Sequence, residues 1–123
     1  NIELNKLCKK LIGKNFLGVF PADDFIEPYK NGQSCILNIQ NSTNKGEHWV
    51  ALYNECNCVY FFDTYNRNYK ELNIHFKHMK WISPKHEKLQ SLRSRNCGQE
   101  CISFIICSMK FGCINFFNTF VLN

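Results

Sequence analysis

The chain has 123 residues, a formal net charge of +5, and an aromatic content of 15% that includes eleven Phe. This length indicates one domain, residues 1–123, around one hydrophobic core, and no apolar run is long enough to cross a bilayer. The chain shows neither a signal peptide nor an initiating Met. That is typical of a processed product, a trimmed catalytic core or a piece of a longer polyprotein.

The first half of the chain predicts a helix followed by strands. Residues 1–12 place apolar side chains at helical spacing opposite Lys and Asn, which is typical of an amphipathic helix ending near Gly13. Residues 34–41 alternate between apolar and polar side chains and predict a strand. Two further strands, 48–54 and 58–65, flank a tight polar turn and therefore predict a β-hairpin.

The second half predicts two helices of different character. Residues 66–80 are polar and aromatic, with apolar side chains at helical offsets that predict a helix, and 81–83 predicts a short strand. Residues 97–111 are apolar on nearly all sides, as in a buried helix, and are followed by Gly112, a residue suited to ending one. We expect this to be the central helix, against which the sheet packs, with the apolar tail 114–123 completing the core.

The eight cysteines are the second unusual feature of the composition. Cys8, Cys101 and Cys107 lie within apolar runs and are interpreted as small hydrophobic residues. Cys56 and Cys58 are too closely spaced for a usual zinc site, and no second ligand pair accompanies them. We therefore expect no metal ion, and reduced thiols in the cytoplasm or nucleus rather than in the secretory pathway.

One cysteine stands apart from the others because of its position. Cys97 lies where a charged loop meets the predicted buried helix, and the unpaired N–H groups and dipole at a helix N-terminus favour a thiolate. The following Gly98 leaves room for the backbone of a substrate. The alternative is a buried structural cysteine like Cys101, and position alone does not separate the two interpretations.

A basic ring and a carboxylate lie on the predicted hairpin. His48 begins one strand after a Gly-containing loop, and Asp63 ends the apolar run of the next, where an unpaired carboxylate is costly to bury. On neighbouring strands, Asp63 would orient the His48 ring and fix its tautomer. The alternatives are a surface histidine and a turn aspartate bonded to its own backbone. Trp49 offers an aromatic wall for a substrate or, alternatively, plain core packing.

A glutamine precedes the cysteine in the charged loop. Gln90 lies seven residues before Cys97, and its side-chain N–H could join the Cys97 backbone N–H as an oxyanion hole. A loop glutamine taken alone usually has no such role. The oxyanion role is suggested because Gln90 occurs together with His48, Asp63 and Cys97. These four residues are the parts of a thiol nucleophile site.

The order and surroundings of these four residues resemble the adenovirus-type cysteine proteases, or adenains, which share a clan with the SUMO-specific proteases. GEHWVALY resembles the histidine strand of that family, YFFDTYN its acid strand, and QSLRSRNCGQEC its oxyanion glutamine and nucleophile motif. FLGVF resembles the segment after the family's first helix. The resemblance covers most of the chain; each motif is weak alone, and the four in order are strong together.

The resemblance implies an α+β, papain-like or adenain-like fold, in which a central mixed sheet packs on a buried helix that begins at the nucleophile. It implies that Cys97 is the nucleophile and His48 its base. Asp63 would orient His48, and Gln90 would complete the oxyanion hole. Adenovirus members have Glu at the place of Asp63, whereas SUMO proteases have Asp. Adenovirus members hold an activating peptide by a disulfide to one of their cysteines. The matching position in this chain is near Trp81, so such a disulfide is not expected.

The function implied by the resemblance is a thiol endopeptidase that cleaves precursor proteins in capsid or core maturation of a virus or virus-like element. We expect a monomer in the virion or in the host nucleus or cytoplasm, with no membrane partner. The sequence requires no cofactor, and an activating peptide or DNA stays open. Two alternative functions remain: deconjugation of SUMO or ubiquitin-like proteins, and non-catalytic binding of nucleic acid through basic residues.

Overall fold

Five strands form one mixed β-sheet in the computed structural model, which describes residues 2–40, 47–74, 78–84 and 97–118. The strands are β1 (Phe16–Pro21), β2 (Ser34–Gln40), β3 (Glu47–Glu55), β4 (Cys58–Phe62) and β5 (Lys80–Ile82). They lie side by side in chain order. β1 is parallel to β2 and β4 to β5, whereas β3 is antiparallel to both of its neighbours. The predicted α+β class with a mixed sheet is confirmed.

Helices cover one face of this sheet: α1 (Ile2–Ile12), α2 (Cys97–Phe111) and α3 (Cys113–Phe116). The helices predicted over 1–12 and 97–111 are both present. The core on this face is aromatic, because the rings of Phe62 and Phe104 stack with centroids 4.9 Å apart and Phe116 meets Phe62 edge-on at 5.6 Å. No helix within the described ranges is long and apolar enough to cross a membrane.

The opposite face of the sheet is covered by loop segments. Phe61 on β4 lies beside Trp81 and Tyr69, with ring centroids 6.3 Å and 6.1 Å away, and Phe25 packs on Trp81 at 5.8 Å. A sheet that is covered on both faces needs strands that are apolar on both sides. This explains why every residue from 49 to 54 of β3 is buried.

β3 and β4 form the predicted hairpin, and its turn sets their register. The two residues of the turn, Cys56 and Asn57, have φ of 54° and 66°. Positive φ at both central positions is typical of the type I′ turn, whose twist matches that of the flanking strands. In the resulting register Ala51 lies opposite Phe62, so β4 ends level with the first half of β3.

α2 runs alongside β3 for nearly the whole length of the strand. At one end Gly98 lies against Trp49, where a methyl group on the glycine would be 3.6 Å from Trp49 Cδ1. At the other end the Cys113 N–H donates to Glu55 Oε1 at 3.0 Å. The strand distance between these two contacts is about 20 Å and the helical distance about 22 Å, so the elements match in length. The N-terminus of α2 therefore lies at the start of β3.

The helix predicted over 66–80 is wrong for the described residues of that segment, because residues 68–74 form a single turn and Lys80 begins β5. The Asn68 side chain begins the turn by accepting the backbone N–H three residues on at 2.9 Å. The turn ends where the Ile74 N–H reaches the Tyr69 carbonyl at 2.9 Å and Asn73 has a φ of 57°, a Schellman arrangement. Asparagines at both ends thus outweigh the helical spacing of the apolar residues.

A buried carboxylate joins the segment after β1 to β5. Glu27 is 5% exposed and accepts the backbone N–H of His78 at 2.9 Å and the indole N–H of Trp81 at 2.7 Å. The Met79 N–H also points at this carboxylate, at 3.4 Å. These donors compensate for the removal of the charge from water. Glu27 therefore holds β5 against the rest of the sheet.

Replacing Glu27 by Gln puts an NH₂ group among N–H donors and leaves at least one buried donor without an acceptor. We expect Glu27→Gln to lower the free energy of unfolding by about 1–3 kcal/mol, measured by urea denaturation. Glu71→Gln, the same change at an exposed position, is the matched control and should cost less than about 0.5 kcal/mol. Equal stability of the two variants would contradict the role given to Glu27.

Candidate active site

The histidine and the acid predicted from the hairpin are in contact. His48 lies at the start of β3, and its Nε2 donates to Asp63 Oδ1 at 2.5 Å. The side chain of Asp63 is fully buried, and that of His48 is 15% exposed. The contact follows from the hairpin register, because Asp63 comes directly after the residue that pairs with Ala51 and so lies near the start of β3.

Asp63 accepts three further hydrogen bonds from its own segment. The Tyr65 N–H donates to Oδ1 at 3.3 Å, and the Arg67 N–H and Nε donate to Oδ2 at 3.3 Å and 2.7 Å. The two interpretations of Asp63, as the partner of a histidine and as a turn residue bonded to nearby backbone, therefore hold together. Both oxygens of the carboxylate have donors, and its orientation is fixed.

The charge state of Asp63 follows from these contacts. Burial raises the pKa of its carboxyl group, but the hydrogen bonds and positive charges of His48 and Arg67 outweigh burial and hold the pKa below the ordinary carboxyl value. Asp63 is therefore a carboxylate near neutral pH. A carboxylate at Nε2 requires a proton on that nitrogen, so the ring of His48 exchanges its other proton at Nδ1.

An aromatic and a basic side chain lie behind the histidine. The ring of Tyr65 stacks on the ring of His48 with centroids 5.0 Å apart and an interplanar angle of 27°. The guanidinium of Arg67 lies 5.1 Å from the centroid of the Tyr65 ring. No role for Tyr65 or Arg67 was predicted from the sequence. They are the second and fourth residues after Asp63, a spacing that could have suggested a shared role, but many surface loops have the same spacing.

The first turn of α2 is tied to the residue next to His48. Trp49 is 8% exposed and packs beside Gly98. Its ring therefore belongs to the core, which was the alternative to an aromatic wall for a substrate. Cys101 is fully buried, and its Sγ donates to the Trp49 carbonyl at 3.4 Å. The beginning of the helix and the beginning of the strand are thereby held together.

Two of the four predicted catalytic residues are described in part or not at all. The backbone of Cys97 begins α2, one residue before Gly98, at the end of the helix that lies beside the start of β3. The Cys97 side chain and the whole of Gln90 lie outside the described part of the structure. The contact between Cys97 and His48 and the oxyanion role of Gln90 stay predictions.

The remaining thiols do not form a second centre in the described structure. Seven cysteines have described side chains, and none of these is in a disulfide. Burial raises the pKa of Cys8 to about 11 and that of Cys113 to about 12, whereas Cys56 is exposed. The described residues contain no group of three His, Cys, Asp or Glu side chains that could hold a metal ion.

Neither the scan against protein-family models nor the search of curated proteins finds a match to this chain.

The lowered pKa of Asp63 makes the stability of the fold depend on pH. The ionised carboxylate stabilises the folded state above the ordinary carboxyl pKa, and this contribution is lost as the pH falls through the lower folded-state value. We expect the difference in unfolding free energy between the wild type and Asp63→Asn to shrink as the pH falls from about 6 to about 3. Urea denaturation at each pH measures it.

The control for this measurement is Asp24→Asn, the same substitution at an exposed residue. Its unfolding free energy should follow that of the wild type closely over the whole pH range. A difference between wild type and Asp63→Asn that stays constant with pH would show that Asp63 contributes no titrating charge to stability.

Proposed function

We propose that the chain is a cysteine endopeptidase with a papain-like, adenain-like arrangement of its site, in which Cys97 is the nucleophile. One observation carries the proposal: His48 Nε2, at the start of β3, donates to the buried Asp63 carboxylate at 2.5 Å. This contact lies beside the N-terminus of α2, where the helix begins at Cys97. A histidine held by an acid next to a thiol is the arrangement that activates a cysteine nucleophile.

The position of Cys97 at the start of a helix of 15 residues supports this role. The unpaired N–H groups and the dipole of the first turn favour a thiolate over a thiol. The carboxylate of Asp63 favours a positively charged His48 ring. The two effects together favour an ion pair between the thiolate and the imidazolium, with Nδ1 of His48 as the nitrogen that carries the exchanged proton.

The reaction then proceeds in two steps. The Cys97 proton moves to His48 Nδ1, the thiolate attacks the peptide carbonyl carbon, and the resulting oxyanion accepts hydrogen bonds from the Cys97 backbone N–H and Gln90. The imidazolium returns its proton to the leaving amine as the C–N bond breaks, which leaves a thioester. His48 takes a proton from water, the hydroxide attacks the thioester, and the thiolate leaves with release of a carboxylic acid.

Gly98 supports the approach of a substrate backbone to this thiol. A methyl group at this position would make only ordinary van der Waals contacts, at 3.6 Å from Trp49 and 3.9 Å from Leu4. Packing therefore does not require glycine here.

The resemblance to adenains supports the narrower proposal that the substrates are precursor proteins of a virus or virus-like element. Deconjugation of ubiquitin-like proteins would use the same four residues.

The reactivity of Cys97 toward iodoacetamide tests the proposal without a known substrate. We expect its alkylation rate, mapped by mass spectrometry, to be nearly constant between about pH 5.5 and pH 8, because the thiolate is already formed. An ordinary thiol is alkylated faster as the pH rises through this range, because its thiolate fraction grows. The exposed Cys56 is the internal control. In His48→Ala, Cys97 should lose its constant profile and become faster with rising pH, like an ordinary thiol.

Cleavage of a diverse peptide library, with Cys97→Ala as the matched control, then separates the candidate functions. Internal peptide bonds cut only by the wild type would support an endopeptidase. Release of a group from the C-terminus of SUMO or ubiquitin alone would favour deconjugation. A Cys97 that alkylates like Cys56 and a protein that binds DNA in a salt-sensitive way would contradict the proposal in favour of a nucleic-acid-binding module.

Gly98→Ala tests whether glycine is required at this position for folding or for access of the substrate. Because the fold has room for the methyl group and alanine is the better helix former, we expect the melting temperature to be unchanged or slightly higher. We expect kcat/KM on a cleaved peptide to fall about tenfold or more, because the added methyl obstructs the substrate backbone. Unchanged kcat/KM in the folded variant would show that the substrate does not pass over Gly98.

A further inference from the structure

We propose that Tyr65 and Arg67 are positioning residues for His48, which they hold through a closed ring of side-chain contacts. This inference rests on the proposed function for its catalytic meaning. The contacts run from His48 to Asp63, from Asp63 to Arg67, from Arg67 to Tyr65, and from Tyr65 back to His48. Three of the four residues come from the five-residue segment that follows β4.

The first part of the ring fixes the carboxylate. Asp63 presents Oδ1 to His48 and Oδ2 to Arg67 Nε, at 2.5 Å and 2.7 Å. A small rotation of the carboxylate away from this orientation would lengthen both side-chain hydrogen bonds at once. The backbone N–H groups of Tyr65 and Arg67 add one bond to each oxygen. The acceptor that orients the imidazole is therefore held from two sides.

The second part of the ring fixes the imidazole plane. The stacked ring of Tyr65, 5.0 Å away, opposes rotation of the His48 ring out of the direction of the Asp63 bond. The guanidinium of Arg67 lies over Tyr65 at 5.1 Å, a favourable contact between a cation and an aromatic face. The direction of Nδ1, the nitrogen proposed to exchange the proton with the thiol, is set by these contacts.

Arg67 also sets how strongly the ring holds its proton. Its guanidinium shares the charge of Asp63 with His48, which leaves less of that charge to stabilise the imidazolium. Other titratable groups on the elements around this end of the sheet are Glu3 on α1 and Cys97, Glu100 and Cys101 on α2. Arg67 differs from these groups because it donates directly to the acid that His48 uses.

The titration of the His48 ring by NMR tests the role of Arg67 and needs only folded protein. Arg67→Gln should increase the proton affinity of the ring several-fold to about tenfold, because Asp63 then serves His48 alone. Lys70→Gln removes a charge from an exposed position three residues further along the chain and should leave the ring titration unchanged. Equal titrations in Arg67→Gln, Lys70→Gln and wild type would overturn the role proposed for Arg67.

The role of Tyr65 is tested by Tyr65→Leu, which keeps apolar volume, and by Tyr65→Phe, which keeps the ring. Tyr65→Leu should lose the ring-current shift of the His48 signals and slow the alkylation of Cys97 at about pH 6 several-fold. Tyr65→Phe should restore both. A folded Tyr65→Leu protein with wild-type ring signals, or a Tyr65→Phe protein that does not restore them, would overturn the role proposed for Tyr65.

The outcomes separate this proposal from the proposed function. A wild-type Cys97 that alkylates like Cys56 would contradict the peptidase, and the ring signals and titration of His48 would still decide whether Tyr65 and Arg67 position it. A reactive Cys97 combined with a His48 ring that is insensitive to both residues would contradict the positioning roles alone. In a peptidase, Tyr65→Leu should lower kcat at unchanged KM, because the ring acts in the chemical step.

Discussion

The register of the β3–β4 hairpin is the constraint on which both the core and the candidate site depend. Side chains alternate between the two faces of a strand, so a shift of one residue would exchange the faces of every side chain. Phe62 would then leave its stack on Phe104 in the helical core. Asp63, the next residue, would no longer reach His48. The two-residue turn after Glu55 therefore positions a carboxylate that lies far from it, at the other end of the strands.

Much of the fold could be predicted because it depends on local patterns. Alternation indicated β2, a tight polar turn between two apolar runs indicated the hairpin, and an apolar composition on all sides indicated α2. Each of these signals lies within one element or two adjacent ones. The segment 16–20 is a short apolar stretch before Pro21 and carries no such local signal. It is a strand that includes the proline, at the end of the sheet beside β2, where a missing N–H is tolerated. That location depends on pairing with a distant segment.

The helix wrongly predicted over 66–80 and the two missed residues of the site have a common physical cause. In both cases short side chains bind nearby backbone and override the spacing of the larger residues. Asn68 and Asn73 limit one segment to a single turn. Asp63 draws two backbone N–H groups toward itself, which brings Tyr65 and Arg67 behind His48. The contact of His48 with Asp63 was predictable from the hairpin, whereas the ring of contacts around it required the actual path of the loop.

The arrangement of the buried thiols has a consequence for the response of the site to oxidants. Cys101 lies one helical turn after Cys97 and is the thiol nearest to it in the sequence. Its Sγ is directed into the core, fully buried and bonded to the Trp49 carbonyl. A sulfenic acid formed at Cys97 is rescued when a second thiol condenses with it, and Cys101 could serve only if the first turn of α2 unwound. Recovery from oxidation with the helix intact would therefore need a thiol other than Cys101, such as glutathione from the surroundings.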